Sequence, residues 1–224
     1  MSSVEAATAA NGQPLGKRGQ QTRQRILDTI MRIIEDRGIR DLKPVDITRE
    51  CGLSPAAFYH FFNDLDDALL AICDDVGSHF TRYRNLVADS WGQADSLRHG
   101  AYEFVERYAA CWDENRSALW TRNVVSQEGD DRFRATRVLT TLPFVNDLMV
   151  KIAVGQADGD IDPSLKPIAL ATALMALAER MNAILPEMVE WLSLDRQDLI
   201  DAVGYIFDRT ISGCPEHEGY QSVS

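Results

Sequence analysis

The chain has 224 residues, 45% of them hydrophobic and 25% charged, with a formal charge of −11 and a sequence pI near 4.8. These proportions suit a globular protein. They exclude a collagen-like, a disulfide-scaffold or a wholly disordered chain, and the length admits one or two domains with a real core. So acidic a chain should repel a polyanion, which makes nucleic acid an unexpected partner until the charge is resolved segment by segment.

Residues 1–19 are polar and rich in small side chains and lack the apolar stretch of a signal peptide. They read as a flexible basic arm, and the protein as cytoplasmic. No apolar run approaches the roughly 20 residues of a membrane span. Gln20 to Arg37 carries Ile26, Leu27, Ile30, Met31, Ile33 and Ile34 at helical spacing, with Gly38 as its stop. A short helix from Pro44 to Cys51 and a second from Pro55 to Phe61 flank Gly52-Leu53-Ser54, with Ser54 as the second helix's N-cap. Asn63 or Asp64 caps a longer helix expected to run to about Val87.

The rest also reads as helix, over 95–114 and near 116–127, 131–155, 164–190 and 195–211. The run from Gly155 to Pro163 is a loop, and Pro186 should kink or end its helix. Residues 212–224 read as a flexible tail. Of the four cysteines, Cys51, Cys73 and Cys111 fall in apolar patterns as buried thiols, and Cys214 lies in the tail. Neither they nor the four histidines show metal-ligand spacing, so no metal or cofactor is expected.

The informative stretch is Lys43 to Leu70, KPVDITRECGLSPAAFYHFFNDLDDALL. Two short helices meet at a glycine turn, with Ile47, Leu53, Phe58 and Phe62 placed to form a small three-helix core. Such a helix-turn-helix offers its second helix to the DNA major groove. The groove-facing side would be Ser54, Pro55, Ala56, Ala57, Tyr59 and His60. Small residues at 56 and 57 allow close approach to base edges, and an alanine methyl can pack on a thymine methyl. Tyr59 and His60 suit phosphate contacts, which set register without reading sequence. A plain helical hairpin would carry the same bare spacing, so the whole pattern has to decide.

That pattern resembles the N-terminal head of TetR/AcrR-type transcriptional regulators. Their Ala-Gly-Val-Ser, Leu-Tyr-His-His-Phe and Lys-Glu-Ala-Leu-like runs correspond to Cys51-Gly52-Leu53-Ser54, Phe58-Tyr59-His60-Phe61-Phe62 and Leu65-Asp66-Asp67-Ala68-Leu69. Thr22-Arg23 before Ile26-Leu27 is similar to the start of the family's first helix. The resemblance covers about 20–70.

It implies an all-α protein of about nine helices. An arm (1–19) precedes a three-helix DNA-binding head (20–63), and a ligand-binding and dimerisation domain (64–211) follows. It also implies a homodimeric, ligand-responsive repressor, not an enzyme, acting on a near-palindromic operator. Ser54, Pro55, Ala56, Ala57, Tyr59 and His60 occupy the family's recognition positions, and Lys43 stands where a phosphate-contacting Thr is common. Lys17, Arg18 and Arg23 read as backbone or minor-groove contacts.

Two departures matter. Leu65 replaces a frequent phosphate-binding Lys, and Asp64, Asp66 and Asp67 suit a helix N-terminus but repel DNA. A helical adaptor or a helical-bundle enzyme would be the rival readings; the chain has no P-loop and no His-Glu-x-x-His.

In the C-terminal part, relatives dimerise through their last two long helices. That implies a face made of Ala171, Leu174, Ala178, Met181, Leu199, Val203 and Phe207. A pocket for an unidentified small hydrophobic effector would draw on Tyr102, Tyr108, Trp112, Trp120, Arg122, Asn123, Phe144 and Met175, residues that could equally be core. The fourth helix (64–87) would carry movement between the parts. Residues 1–62 hold nine Lys/Arg against seven acids, and 63–224 hold 14 against 27. The acidity therefore belongs to the C-terminal part, and the mildly basic head should bind DNA with a shallow salt dependence.

Overall fold

Prolines at first helical positions, glycines past helix ends and apolar stripes between them set the elements. The computed structural model describes residues 8–40, 42–80, 83, 85–92 and 97–212. Among them ten helices follow in order: α1 (Lys17–Arg37), α2 (Pro44–Cys51), α3 (Pro55–Phe61), α4 (Leu65–Phe80), α5 (Leu86–Gly92), α6 (Leu97–Glu114), α7 (Arg116–Glu128), α8 (Asp131–Asp158), α9 (Pro167–Leu192) and α10 (Arg196–Ile211). The only extended pairing among the described residues is an isolated antiparallel bridge between Thr8 and Pro14. The chain is all-α, as expected.

Several boundaries differ from expectation. α1 starts at Lys17, because Gly16 takes an extended conformation and its carbonyl accepts from Gln20 N–H at 3.0 Å. Lys17 and Arg18 therefore lie in its first turn. The expected fourth helix is two: α4 stops at Phe80, and α5 begins after Asn85, whose carbonyl accepts from Asp89 N–H at 2.7 Å. Asparagine favours such a helix start. α8 runs to Asp158, so Gly155 is helical and the loop begins at Gly159, at φ 86°.

α9 passes through Pro186 and continues to Leu192. A proline has no N–H, so the carbonyl four residues back loses its helical donor. That carbonyl is Asn182's, and the Arg116 guanidinium donates to it at 2.8 Å. The helix survives Pro186 with the carbonyl that lost its helical donor satisfied by a side chain from another element.

The chain divides into two compact units. The first comprises residues up to 78 and 117–137, the second 79–116 and 138 onward. In the first, Ile26, Ile30 and Ile33 of α1, Ile47 of α2 and Phe58, Phe61 and Phe62 at α3 are buried together with Ala68, Leu69 and Ile72 of α4. Each isoleucine, leucine or phenylalanine among them contributes about 1.5–3 kcal/mol by leaving water. Cys73 Sγ lies 3.7 Å from the Ala118 carbonyl of α7, and burial pushes its thiol pKa up to about 12. It is inert at neutral pH. Cys111 is also buried, whereas Cys51 is only half-buried, 3.3 Å from Thr29 Oγ1; Cys214 lies outside the described residues.

In the second unit α10 packs chiefly against α6, and α9 against both. Gly204 allows this: a Cβ there would stand 2.6 Å from the Tyr102 ring. A reciprocal capping box between Asp195 and Asp198 starts α10. α8 and α9 each reach the length and mean hydropathy (1.4 and 1.5) of a membrane-crossing helix, although neither is an unbroken apolar run. In this fold both give part of their apolar surface to the unit's core, through Phe144, Leu148 and Ile152 on α8 and Leu174, Met175 and Leu185 on α9.

Candidate nucleic-acid interface and effector region

The turn between α2 and α3 is built on Gly52, at φ 64° and ψ 35°, a left-handed conformation in which side chains are disfavoured. Leu53 N–H then reaches back to the Thr48 carbonyl at 2.8 Å, closing the helix end. Thr48 is buried and its hydroxyl donates to the Pro44 carbonyl at 3.1 Å. Arg32 of α1 pairs with Glu50 of α2. Ser54 holds the N-cap position of α3 without a side-chain capping bond; its carbonyl accepts from Ala57 N–H at 2.9 Å.

α3 is seven residues long and sharply two-faced. Phe58 and Phe61 are buried with Phe62 beyond them, while Ser54, Pro55, Ala56, Tyr59 and His60 are exposed and Ala57 is half-buried. Tyr59 is 56% exposed although its neighbour Phe58 is fully buried. The Phe58 ring meets Tyr59 edge-on at 5.5 Å and Phe62 at 5.5 Å, which fixes the helix on its core. Lys43, at the N-cap of α2, and Lys17 and Arg18 are exposed.

Arg23 is a correction. Its guanidinium lies over the Phe62 ring at 4.9 Å, Nε is buried without a hydrogen-bond partner, and burial lowers its pKa against the opposing pull of Asp67 and Asp75. The half-buried guanidinium thus packs α1 against Phe62, a role that the reading of Arg23 as a DNA contact did not include.

The start of α4 is acidic as read. Asp64 Oδ1 accepts from Asp67 N–H at 2.7 Å, and Asp67 accepts from Asn63 N–H at 3.0 Å, so the acids cap the helix. Asp66 is held above the usual carboxylate range by partial burial and by Asp64, with Arg132 opposing.

The arm is a second correction. Residues 1–7 lie outside the described residues, but 8–16 are ordered. Gly12 N–H bonds the Ala9 carbonyl at 2.9 Å and Ala9 N–H bonds the Gln13 carbonyl at 2.9 Å, with Gly12 at φ 81°. Asn11 Oδ1 accepts from Gln13 N–H at 3.1 Å. This is a three-residue hairpin loop closed by a left-handed glycine. Ala9 is buried, and Ala10 N–H donates to the His60 carbonyl of α3 at 3.1 Å. The signal for it was Asn11-Gly12, a strong turn dipeptide that the reading of a flexible arm passed over.

The effector candidates separate. Trp120, Arg122 and Asn123 belong to α7 and the first unit, where Arg122 is buried and donates to Asn123 Oδ1 at 3.0 Å. Tyr102, Tyr108, Trp112, Phe144 and Met175 belong to the second. There Tyr108 meets Phe144 edge-on at 5.5 Å, and Phe104 lies 5.5 Å from Phe207, an aromatic core across α6, α8 and α10. Trp112 Nε1 and Asn182 Oδ1 are buried with no hydrogen-bond partner.

The implied dimer face is also corrected. Ala171, Leu174, Ala178, Met181, Val203 and Phe207 are buried within the single chain, and Leu199 is half-buried. The outward faces of the same helices carry Ile168, Thr172, Ala173 and Ala176 on α9 and Tyr205 and Ile206 on α10. An open apolar groove of about 600 Å³, lined by Met149, Val150 and Val154 of α8 and Pro167 and Ile168 of α9, adjoins them.

A left-handed glycine turn, an exposed second helix over a phenylalanine core and a long all-helical remainder define a helix-turn-helix regulator. Residues 26–72 match the family model of bacterial regulatory proteins of the tetR family, and residues 83–208 match that of the tetracyclin repressor-like C-terminal domain. The second match covers more than half of the chain, and the protein belongs to the TetR family. It is 31% identical over 117 residues to the HTH-type transcriptional regulator BetI of Brucella suis biovar 1, an alignment covering 52% of this chain and 59% of that one. The chain thus spans about three fifths of the length of the curated relatives it matches. A TetR-family regulator from Rhodococcus sp. superposes with a TM-score of 0.63 at 24% identity, covering 86% of this chain and 100% of the other. The MbdR regulator of Azoarcus sp. CIB superposes at 0.63 and 16% identity, covering 87% and 100%. The FadR regulator of Bacillus subtilis, solved with stearoyl-CoA, superposes at 0.59 and 13%, covering 86% and 99%.

Proposed function

We propose that the protein is a ligand-responsive transcriptional repressor, working in the cytoplasm as a homodimer on a near-palindromic duplex. The observation that carries this reading is the face of α3. Ser54, Pro55, Ala56, Tyr59 and His60 stand exposed together on a helix anchored by Phe58, Phe61 and Phe62. Small residues let the helix approach base edges, and Tyr59, His60, Lys43, Lys17 and Arg18 supply phosphate contacts. The working division is a DNA-binding head within 20–63 and a ligand-binding and dimerisation body within 64–211. A two-fold dimer sets its recognition helices about 34–36 Å apart, one DNA turn. The second copy covers the outward faces of α9 and α10.

The effector is a small, largely apolar molecule. A regulator of this fold holds stearoyl-CoA, and here the buried Trp112 N–H and Asn182 Oδ1 lack partners, so polar groups of a ligand that reached them would relieve that cost. Effector and DNA must weaken each other's binding by the same factor.

The test is a gel shift, at stated salt, with the DNA flanking its own gene and with duplexes enriched from a random pool. Binding to a near-palindrome supports the reading, and a protein that shifts no duplex sinks it.

A further inference from the structure

α3 has seven residues, too few to hold its helical form alone. Its last carbonyls also lack intrahelical donors. Phe62 N–H serves the Phe58 carbonyl at 3.0 Å, and Ala10 N–H, from the N-terminal hairpin, serves that of His60 at 3.1 Å. We infer that the hairpin of residues 8–14 is a brace that holds the recognition helix in its binding pose before DNA arrives. Ala10 and Gly12 are its positioning residues. This role rests on the DNA-binding reading above.

Three features support a brace over a loose arm. The hairpin is closed by two main-chain bonds of its own, Ala9 to Gln13 and Gly12 to Ala9, each 2.9 Å. Ala9 is buried to 5% exposure, so the hairpin is seated on the first unit. Residues 8–16, TAANGQPLG, carry no charge. Attraction to phosphate begins only at Lys17 and Arg18, so the hairpin acts on DNA through the shape of α3. The bonded carbonyl belongs to His60, whose side chain stands on the exposed face. Ordering that residue in the free protein lowers the entropy lost on binding.

The experiment replaces Ala10 by proline in the full chain. Proline suits the second position of the turn and removes the single N–H that reaches α3. A second variant, Gly12→Val, keeps that N–H but strains the left-handed position. Hydrogen exchange of the α3 amides and DNA affinity across a salt series, on duplexes enriched by the wild-type protein, are the readouts. Both variants should raise α3 exchange roughly twofold to tenfold, the range set by one lost hydrogen bond. Affinity should fall by a similar factor, with an unchanged slope of log K against log salt. A Lys17→Ala/Arg18→Ala variant should instead flatten that slope. Unchanged exchange overturns the brace. Faster exchange with unchanged affinity overturns its role in binding, as does an affinity loss carried by a flatter slope. A wild-type protein that binds no duplex refutes the DNA-binding reading itself and the brace's purpose with it, while the exchange result still reports whether the hairpin stiffens α3.

Discussion

The two units differ in what they leave uncovered. Among the described residues the first exposes three large apolar side chains, Val45, Tyr59 and Trp120, whereas the second exposes eleven, including Leu139 at 70% and Trp191 at 79%. In the first, most large apolar residues turn inward, and the three that do not are scattered over α2, α3 and α7, with Tyr59 on the α3 face. The second buries an aromatic core and still shows apolar outer faces on α8, α9 and α10, the kind of surface that marks an interaction site where it is contiguous. A helix-turn-helix finishes its core within a few short elements. Long amphipathic helices have two faces to cover, and a single chain covers one.

The sharpest way to break this comparison is inside the first unit. Phe58→Ala should cost about 3–5 kcal/mol, since it empties a fully buried site under α3. Denaturant unfolding checks it, and a loss below about 1 kcal/mol would mean that this core is not closed.

On the second unit, Ile206→Glu on the outward face of α10 should weaken self-association roughly a hundredfold, about 2.8 kcal/mol, while protomer melting stays put. Sedimentation that still shows a tight dimer would move the interface elsewhere.

A smaller effect separates core from surface within that unit. Arg116→Ala leaves the Asn182 carbonyl without a donor and should cost about 1–3 kcal/mol. Adding Pro186→Ala restores an N–H for that carbonyl and should recover most of the loss. A double variant no better than the single would show that the arginine acts otherwise.

The smallest effect concerns charge. Asp66 is held above its ordinary range, so the fold favours its neutral form. That contribution is present in acid and lost as pH rises through the raised pKa. Asp66→Asn should therefore be slightly more stable than wild type at neutral pH, with the advantage fading below about pH 4. It should also bind DNA roughly two- to fivefold more tightly, by removing a negative charge from the start of α4. Melting curves at pH 4 and pH 7 check the first, and a stability gain that grows in acid would reverse the sign.

The head was legible because its signals are local. Gly52 has to be glycine for the turn, Ser54-Pro55 mark a helix start, and the Phe58/Phe61/Phe62 spacing marks one buried face. The arm was misread because a flexible composition hid Asn11-Gly12, and a hairpin bonded across some fifty residues leaves no periodic trace. Pro186 reads as a kink or an end; that α9 continues through it was not legible, because the donor to the Asn182 carbonyl, Arg116, lies 66 residues from Asn182 in another helix.

The amino-acid sequence by itself determined the all-α class, the helix-turn-helix and the family it resembles, since each follows from neighbours within a few residues of one another. It also located the negative charge in the body. Only the tertiary structure decided which face of α9 and α10 is core, where Arg23 points and what holds the end of α3. In a helix of apolar and small residues all faces read alike until packing selects one. A hydrogen bond between distant main-chain atoms has no side-chain signature to read. The faces that remain apolar after packing are those to which the structure directs the search for a second copy.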